Sequence, residues 1–367
     1  MFSPAVYTRD WIETQRRRLG NCDPGLLEKC VHALTLLGHL AESGLPFLFK
    51  GGTSILLHLP DIRRLSIDID IVSPAADAEL DRTVARIGQT APFIGCEENI
   101  RGTSTGRDPL PQRRHFQFFF NSERAPSGRA NILLDVVQEE HCPHEIVKLP
   151  IRTSFLTPER EVLVQLPTIE SLLGDKLTAF APTTTGVKLR RSDGTEGDIM
   201  QVAKQLFDVG VLFEHANDFD AIARAYNGVQ AQESSYRGGQ YNRDASLTDS
   251  LNACLGITGY QLKGVPPNLF SDASLLLNGF RRLQGHLTQP LGADAHRTLA
   301  SRAGLLALHL KSDQPLDFTN VRYTQSREQL DALRHATLNG HEHAWLDRLK
   351  LTNPEAYHYW YHGFRTL

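Results

Sequence analysis

Ile67 to Val72 reads Ile-Asp-Ile-Asp-Ile-Val, so Asp68 and Asp70 stand two residues apart in a run that alternates between apolar and acidic. A period of two is strand periodicity, and it sends both carboxylates to one face and the isoleucines to the other. Neighbouring carboxylates repel each other, and a divalent cation relieves that repulsion. An all-oxygen donor set suits Mg²⁺ or Mn²⁺. A solvated strand face is the plain alternative for this pair on its own. A third acid, Asp135, lies in Leu133-Leu134-Asp135-Val136-Val137. A carboxylate in so apolar a strand is costly without a partner. It either pairs with a cation, such as Arg113 or Arg114 of a neighbouring strand, or completes a metal site with Asp68 and Asp70.

Gly51-Gly52-Thr53 sits between a short apolar run and a helical pattern. Two glycines let the backbone pass close to a ligand with no Cβ in the way. The amides at the start of the next helix can then hold a phosphate. Most such glycine pairs are only turns, so this motif carries weight only beside the acids. Thr53 and Ser54 offer hydroxyls at the helix start, or serve as ordinary N-caps. Together, three carboxylates holding two metal ions can clamp a triphosphate and polarise an attacking hydroxyl. Asp68 and Asp70 would bridge the metals. Asp135 would hold the metal on the acceptor side and help take the hydroxyl proton. Positioning and charge stabilisation would then supply most of the catalysis.

The elements that must position these residues are read from periodicity. Asp23-Pro24 opens a helix, with Leu26, Leu27, Cys30, Val31, Leu34 and Leu37 at helical spacing, and Gly44 ends it. Residues 46–50 form a strand, the diglycine a tight turn, and residues 54–59 a second helix. Residues 67–72 form a strand and residues 76–90 a helix. Residues 113–121 and 130–138 pair as strands across a Pro/Gly/Ser loop, and residues 161–165 form a short strand. A helix runs from Thr168 to Phe180. Residues 181–197 are a long loop rich in Thr, Gly and basic side chains. Beyond Asp198 the pattern is mainly helical, with a loop-rich patch over 227–248. The boundaries expected are an α/β core over residues 1–165 and a mainly helical domain over 166–367.

Composition limits the alternatives. The chain has 367 residues, enough for two or three domains, and a net charge of −3, which makes it no polyanion binder in bulk. Any nucleic-acid contact must come from local basic patches. No apolar run reaches the length of a membrane helix, and the N-terminus lacks the apolar stretch of a signal peptide. The five cysteines are scattered and never spaced as CxxC, which points to reduced thiols, a cytoplasmic location and no zinc site.

Lys50-Gly51-Gly52-Thr53 followed by Arg64-Leu65-Ser66-Ile67-Asp68-Ile69-Asp70 resembles the AbiEii/AbiGii toxin family of nucleotidyltransferases, within the DNA polymerase β-like superfamily. Glu170 to Phe180 is similar to that family's helix with a DKL-type motif, and Lys204 to Asp208 is similar to its KDxxD motif. The resemblance covers roughly residues 45–215. The chain departs from the pattern at Gln205, where the family has Asp, and at Val202, where it has Arg. The fold implied is α+β, with a polymerase β-like domain built on a mixed sheet flanked by helices, then a mainly helical domain.

The resemblance implies catalytic roles for Lys176 and Asp208 beside Asp68, Asp70 and Asp135. Nucleotide contacts would come from Gly51, Gly52, Thr53, Ser54, Arg64, Ser66 and Lys176. It implies Mg²⁺ or Mn²⁺, an NTP substrate and an RNA acceptor, with the tRNA 3′ end foremost, so that translation stops. It also implies a cognate antitoxin and a role in toxin–antitoxin or phage-defence systems. Read from their residues alone, Lys204 and Asp208 stand at i and i+4 and suit a surface ion pair.

Lys188, Arg190 and Arg191 form a basic patch in the 181–197 loop. It is either a solvated face or, as a mobile loop near the cleft, a grip on an RNA backbone. The C-terminal tail, with His341, His343, Trp345, Tyr357, His358 and Trp360, suits a packed helix or base stacking, and His341 and His343 are too few for a metal site. Two other functions share these residues. One is nucleotide transfer to a small molecule or a protein side chain, and the other is a catalytically silent nucleotide-binding module.

Overall fold

The computed structural model describes residues 1–99, 111–140, 142–266, 269 and 271–366, and the chain divides into two compact units. The first comprises Met1–Thr168 with Gly285–Pro290, and the second comprises Ile169–Gln284 with Leu291–Leu367.

The first unit opens with helices α1 (Arg9–Arg18) and α2 (Pro24–Glu42). Asp23 caps α2 by accepting from the Leu26 amide at 2.8 Å, with Pro24 in the first turn. Strand β1 (Leu48–Lys50) runs straight into α3 (Gly51–His58), and β2 (Ile69–Val72) and α4 (Asp77–Gly88) follow. Then come β3 (Phe93–Glu98), β4 (Gln112–Asn121), β5 (Arg129–Gln138) and a hairpin of β6 (Ile146–Pro150) and β7 (Leu163–Pro167).

Among the described residues the main sheet has the order β1-β2-β5-β4-β3. It is mixed, because β2 and β5 are parallel while the other neighbours are antiparallel. One face is apolar: Phe49, Ile69, Ile71, Leu134, Val136 and Phe116 are all buried. Helix α2, buried along most of its length, packs against β2 and β5. The alternation is thus set by burial of one sheet face, which leaves the polar partners on the other.

Four details differ from the sequence reading. The diglycine is the first turn of α3 and no separate turn precedes the helix. Strand β2 begins at Ile69, because the Asp68 carbonyl accepts from the Thr53 hydroxyl and no strand neighbour pairs with it. Strands β3 and β6 carry no clear alternation and were not expected. The segment over 227–248 is mostly helix: α7 (Phe219–Tyr236) and α8 (Arg243–Gly259) leave only a short connection. Its polar residues work internally, with Gln230 and Ser234 both donating to the Tyr241 carbonyl, at 3.0 and 2.6 Å.

The second unit begins with α5 (Ile169–Ala179) and α6 (Ile199–Phe213), which pack against each other. After α7 and α8 come α9 (Ala273–Leu283), α10 (Ala295–Ser312), the short α11 (Phe318–Val321), α12 (Arg327–His335), α13 (Leu349–Thr352) and α14 (Pro354–Thr366). Tyr357, His358 and Trp360 on α14 are buried, so this part of the tail is core and offers no base a platform. Cys22, Cys30, Cys96 and Cys254 are free thiols. Among the described residues no helix is long and apolar enough to cross a membrane.

Candidate active site

One register line crosses the main sheet. Lys50 on β1 pairs with Asp70 on β2, Asp70 pairs with Asp135 on β5, and Asp135 pairs with His115 on β4. Residues directly opposite across neighbouring strands share a face, so these side chains form a polar row. The flanking lines, Phe49–Ile71–Val136 and Ile69–Leu134–Phe116, face the buried side. Neighbouring strands lie about 4.8 Å apart, so Asp70 and Asp135 stand on one face one strand apart, with Asp70 against Gly51 and Asp135 against His115. Asp68 immediately precedes β2, two residues before Asp70.

The partner of Asp135 is a residue the sequence reading passed over. His115 Nδ1 lies 2.6 Å from Asp135 Oδ1. Neither arginine proposed for that place takes it: Arg113 and Arg114 pair in register with Val137 and Val136. Arg114 instead donates to both oxygens of Glu98, at 2.8 and 2.6 Å, and reaches Asp81 at 2.7 Å. Those hydrogen bonds push the Arg114 guanidinium above its ordinary value. A lone His two residues beyond Arg113 gives no signal in sequence, because register with Asp135 is a long-range fact.

The diglycine lies against this row. Gly51 has φ +79°, and a methyl group built on it would fall 1.9 Å from Asp70 Oδ2. A methyl group on Gly52 would fall 2.4 Å from a terminal nitrogen of Arg64 and 3.2 Å from Ser66 Oγ. Asp70 therefore closes on a backbone position that only glycine leaves open at Gly51, and Arg64 and Ser66 lie close against Gly52. The Thr53 hydroxyl bonds to Ser66 Oγ at 2.9 Å and to the Asp68 carbonyl at 2.5 Å, and Ser54 donates to the Gly51 carbonyl at 2.7 Å. Thr53 and Ser54 are fully buried, so their hydroxyls shape the loop.

A distant segment completes the frame. Gly285–Pro290 belongs to this unit, where Leu287 bridges to Arg64 and the Leu65 amide donates to the His286 carbonyl at 2.7 Å. Thr288 donates to the Ile62 carbonyl at 2.6 Å. These bonds hold the stretch that carries Arg64 and Ser66.

Among the described residues, no group of three or more His, Cys, Asp or Glu side chains is gathered to hold a metal ion by itself. The donors still fit Mg²⁺, which is commonly held by one or two carboxylates with water and substrate phosphate completing its octahedron. Asp70 and Asp135 supply such a pair, made only of hard oxygen donors, and the repulsion between them favours a cation.

The remaining predicted residues lie in the second unit. Lys176 on α5 and Asp208 on α6 are both buried, an unusual place for charged groups. The 181–197 segment is a loop, as expected, and it is internally hydrogen-bonded. Arg190 bridges to Glu196, and the Gly197 amide donates to the Leu189 carbonyl at 2.8 Å. Lys188 donates to the carbonyls of Thr183 and Thr184 and sits over the Tyr241 ring. Burial holds its ammonium below the ordinary lysine value. Arg190 donates to both oxygens of Asp272, at 2.9 and 2.6 Å, and this bonding raises its guanidinium. Arg191 is exposed.

Comparison with known proteins gives this geometry a family. No curated protein sequence matches the chain. Among solved structures, the chain is similar to MenT4, a nucleotidyltransferase toxin from Mycobacterium tuberculosis H37Rv. The TM-score is 0.52 at 15% identity, over 87% of this chain and 92% of that one. It also overlaps JHP933 from Helicobacter pylori, with a TM-score of 0.41 at 16% identity over 80% and 94% of the two chains. The first likeness supports the α+β fold. Residues 35–300 match the model described as nucleotidyl transferase AbiEii toxin, type IV toxin–antitoxin system. The match spans well over half of the sequence, and the chain belongs to the AbiEii family of nucleotidyltransferase toxins.

Proposed function

We propose that this toxin transfers a nucleotide from an NTP to a hydroxyl of RNA, with the tRNA 3′ end as the first acceptor to assay. The observation that carries the reading is the register pairing of Asp70 with Asp135 beside Gly51 and Gly52. Asp68, Asp70 and Asp135 would hold Mg²⁺ or Mn²⁺. When bound, such a cation neutralises triphosphate charge and makes the acceptor hydroxyl more acidic.

The chain's own groups do the rest. The amides of the diglycine turn and the Arg64 guanidinium bind the phosphates, and Ser66 offers a hydroxyl beside them. The acceptor oxygen attacks the α-phosphorus, the bond to the β-phosphate oxygen breaks, and pyrophosphate leaves. Asp135 accepts the hydroxyl proton on its carboxylate. The family resemblance makes Lys176 and Asp208 further candidates for catalysis. For RNA contact in the 181–197 segment all three cations are exposed, and Arg191 is the first choice because Lys188 and Arg190 already have internal partners. Growth arrest would follow from blocked translation, and a cognate antitoxin would relieve it.

The test is incubation of the protein with Mg²⁺, each labelled NTP in turn, and total tRNA. Label on tRNA supports the reading, and Asp70→Asn and Asp135→Asn should each lower it by at least about a hundredfold with the thermal midpoint retained. Label only on a small molecule or on protein would reassign the acceptor. No transfer with any NTP would leave a silent nucleotide-binding module.

A further inference from the structure

We propose that His115 is a positioning residue: its Nδ1–H donates to Asp135 Oδ1, fixes the plane of that carboxylate beside Asp70, and so sets the affinity of the acidic row for a divalent cation. This rests on the reading of Asp70 and Asp135 as cation ligands.

Four observations carry it. His115 is the register partner of Asp135 on β4, so the contact is imposed by the β4–β5 ladder. At 2.6 Å the ring nitrogen and the carboxylate oxygen are in direct hydrogen-bond contact. Arg114, the next residue on β4, is in register with Val136 on the opposite face and bonds Glu98 and Asp81, so it does not compete with His115 for Asp135. His115 and Asp135 side chains are 23% and 32% exposed, so the bond is partly shielded from water. An Asp carboxylate has a broad distribution about its last torsion. One strong donor on Oδ1 removes that freedom and leaves Oδ2 for a ligand. Hydrogen-bond partners of metal-binding carboxylates commonly act this way, and losing one costs about ten- to a hundredfold in metal affinity.

The experiment measures Mn²⁺ binding to the full chain without nucleotide, by loss of the free-Mn²⁺ electron paramagnetic resonance signal. Wild type is compared with His115→Ala, His115→Asn, His115→Gln and Asp135→Ala. The His115→Ala variant should bind about tenfold or more weakly. His115→Asn, whose amide nitrogen can stand where Nδ1 stands, should recover most of that loss. His115→Gln, whose amide reaches past that point, should not. If Asp135→Ala loses Mn²⁺ while His115→Ala binds like wild type, His115 has no positioning role and the cation reading survives. If wild type binds no Mn²⁺, or Asp135→Ala binds as wild type does, the cation reading itself is wrong and the proposal goes with it. Should His115→Ala not fold, equal affinities for the Asn and Gln variants overturn the proposal.

Discussion

A single methyl group added at Gly51 would meet the Asp70 carboxylate at 1.9 Å, and the backbone there has a φ of +79°. Gly51→Ala therefore carries two separate penalties. The left-handed backbone costs about 1–2 kcal/mol in an L-residue, and the carboxylate must turn away from its place. The expected result is a thermal midpoint lowered by several degrees and a much larger fractional loss of nucleotide transfer. An alanine variant as active as wild type would show that Asp70 need not lie against the diglycine. Gly51 and Asp70 are equally visible in sequence as types. What the sequence does not show is that they touch, because β1 and β2 become neighbours only when the sheet forms.

The 181–197 segment shows how an element read as a loop acquires order from one helix. Asp249 on α8 accepts from the Thr183 amide and hydroxyl at 2.8 and 2.7 Å, and from the Thr184 amide and hydroxyl at 2.9 and 2.9 Å. Asp249 and Thr184 are buried while Thr183 is exposed, so Asp249→Ala would leave the two Thr184 donors without a partner, at a cost of about 1–3 kcal/mol. Hydrogen exchange should then accelerate at residues 183–197 while α5 and α6 stay protected. Unchanged exchange in that segment would mean its order has another source. The run of threonines signals a turn in sequence; the carboxylate that satisfies them lies more than sixty residues away.

The first unit carries a buried imidazole and the second a half-buried one, both held below their ordinary value, and this gives the protein a predictable pH dependence. In the first unit, burial pushes His32 down to about 4, against Phe120 at 3.6 Å between ring centroids. In the second, burial and the neighbouring His358 and His309 push His362 down to about 4. The unfolded chain protonates these rings near pH 6.5, whereas the folded chain resists until about 4. Between those values the unfolded state binds more protons, so stability falls as pH falls through that window. His32 contributes a loss of about 3 kcal/mol across it. The urea midpoint should drop between pH 7 and pH 5, and less steeply in His32→Phe. Equal pH slopes for the two proteins would remove His32 as a source.

Local pattern determined much of this protein. Strict alternation at Ile67–Val72, the Asp23-Pro24 helix start and the diglycine before an apolar helix are short-range facts, and they named the acids and the family motif. Most strands of the main sheet and the helices that follow were legible for the same reason: burial of one face imposes a period that sequence displays, whereas the mixed character of the sheet came from the family resemblance. Pairing was not legible. That Asp135 lies between Asp70 and His115, that Arg114 serves Glu98, and that residues 285–290 return to hold Arg64 are decided by strand order and chain return. Such contacts join positions from sixteen to more than two hundred residues apart. Their energy is collected only once the loops between them have closed, so no local window contains them.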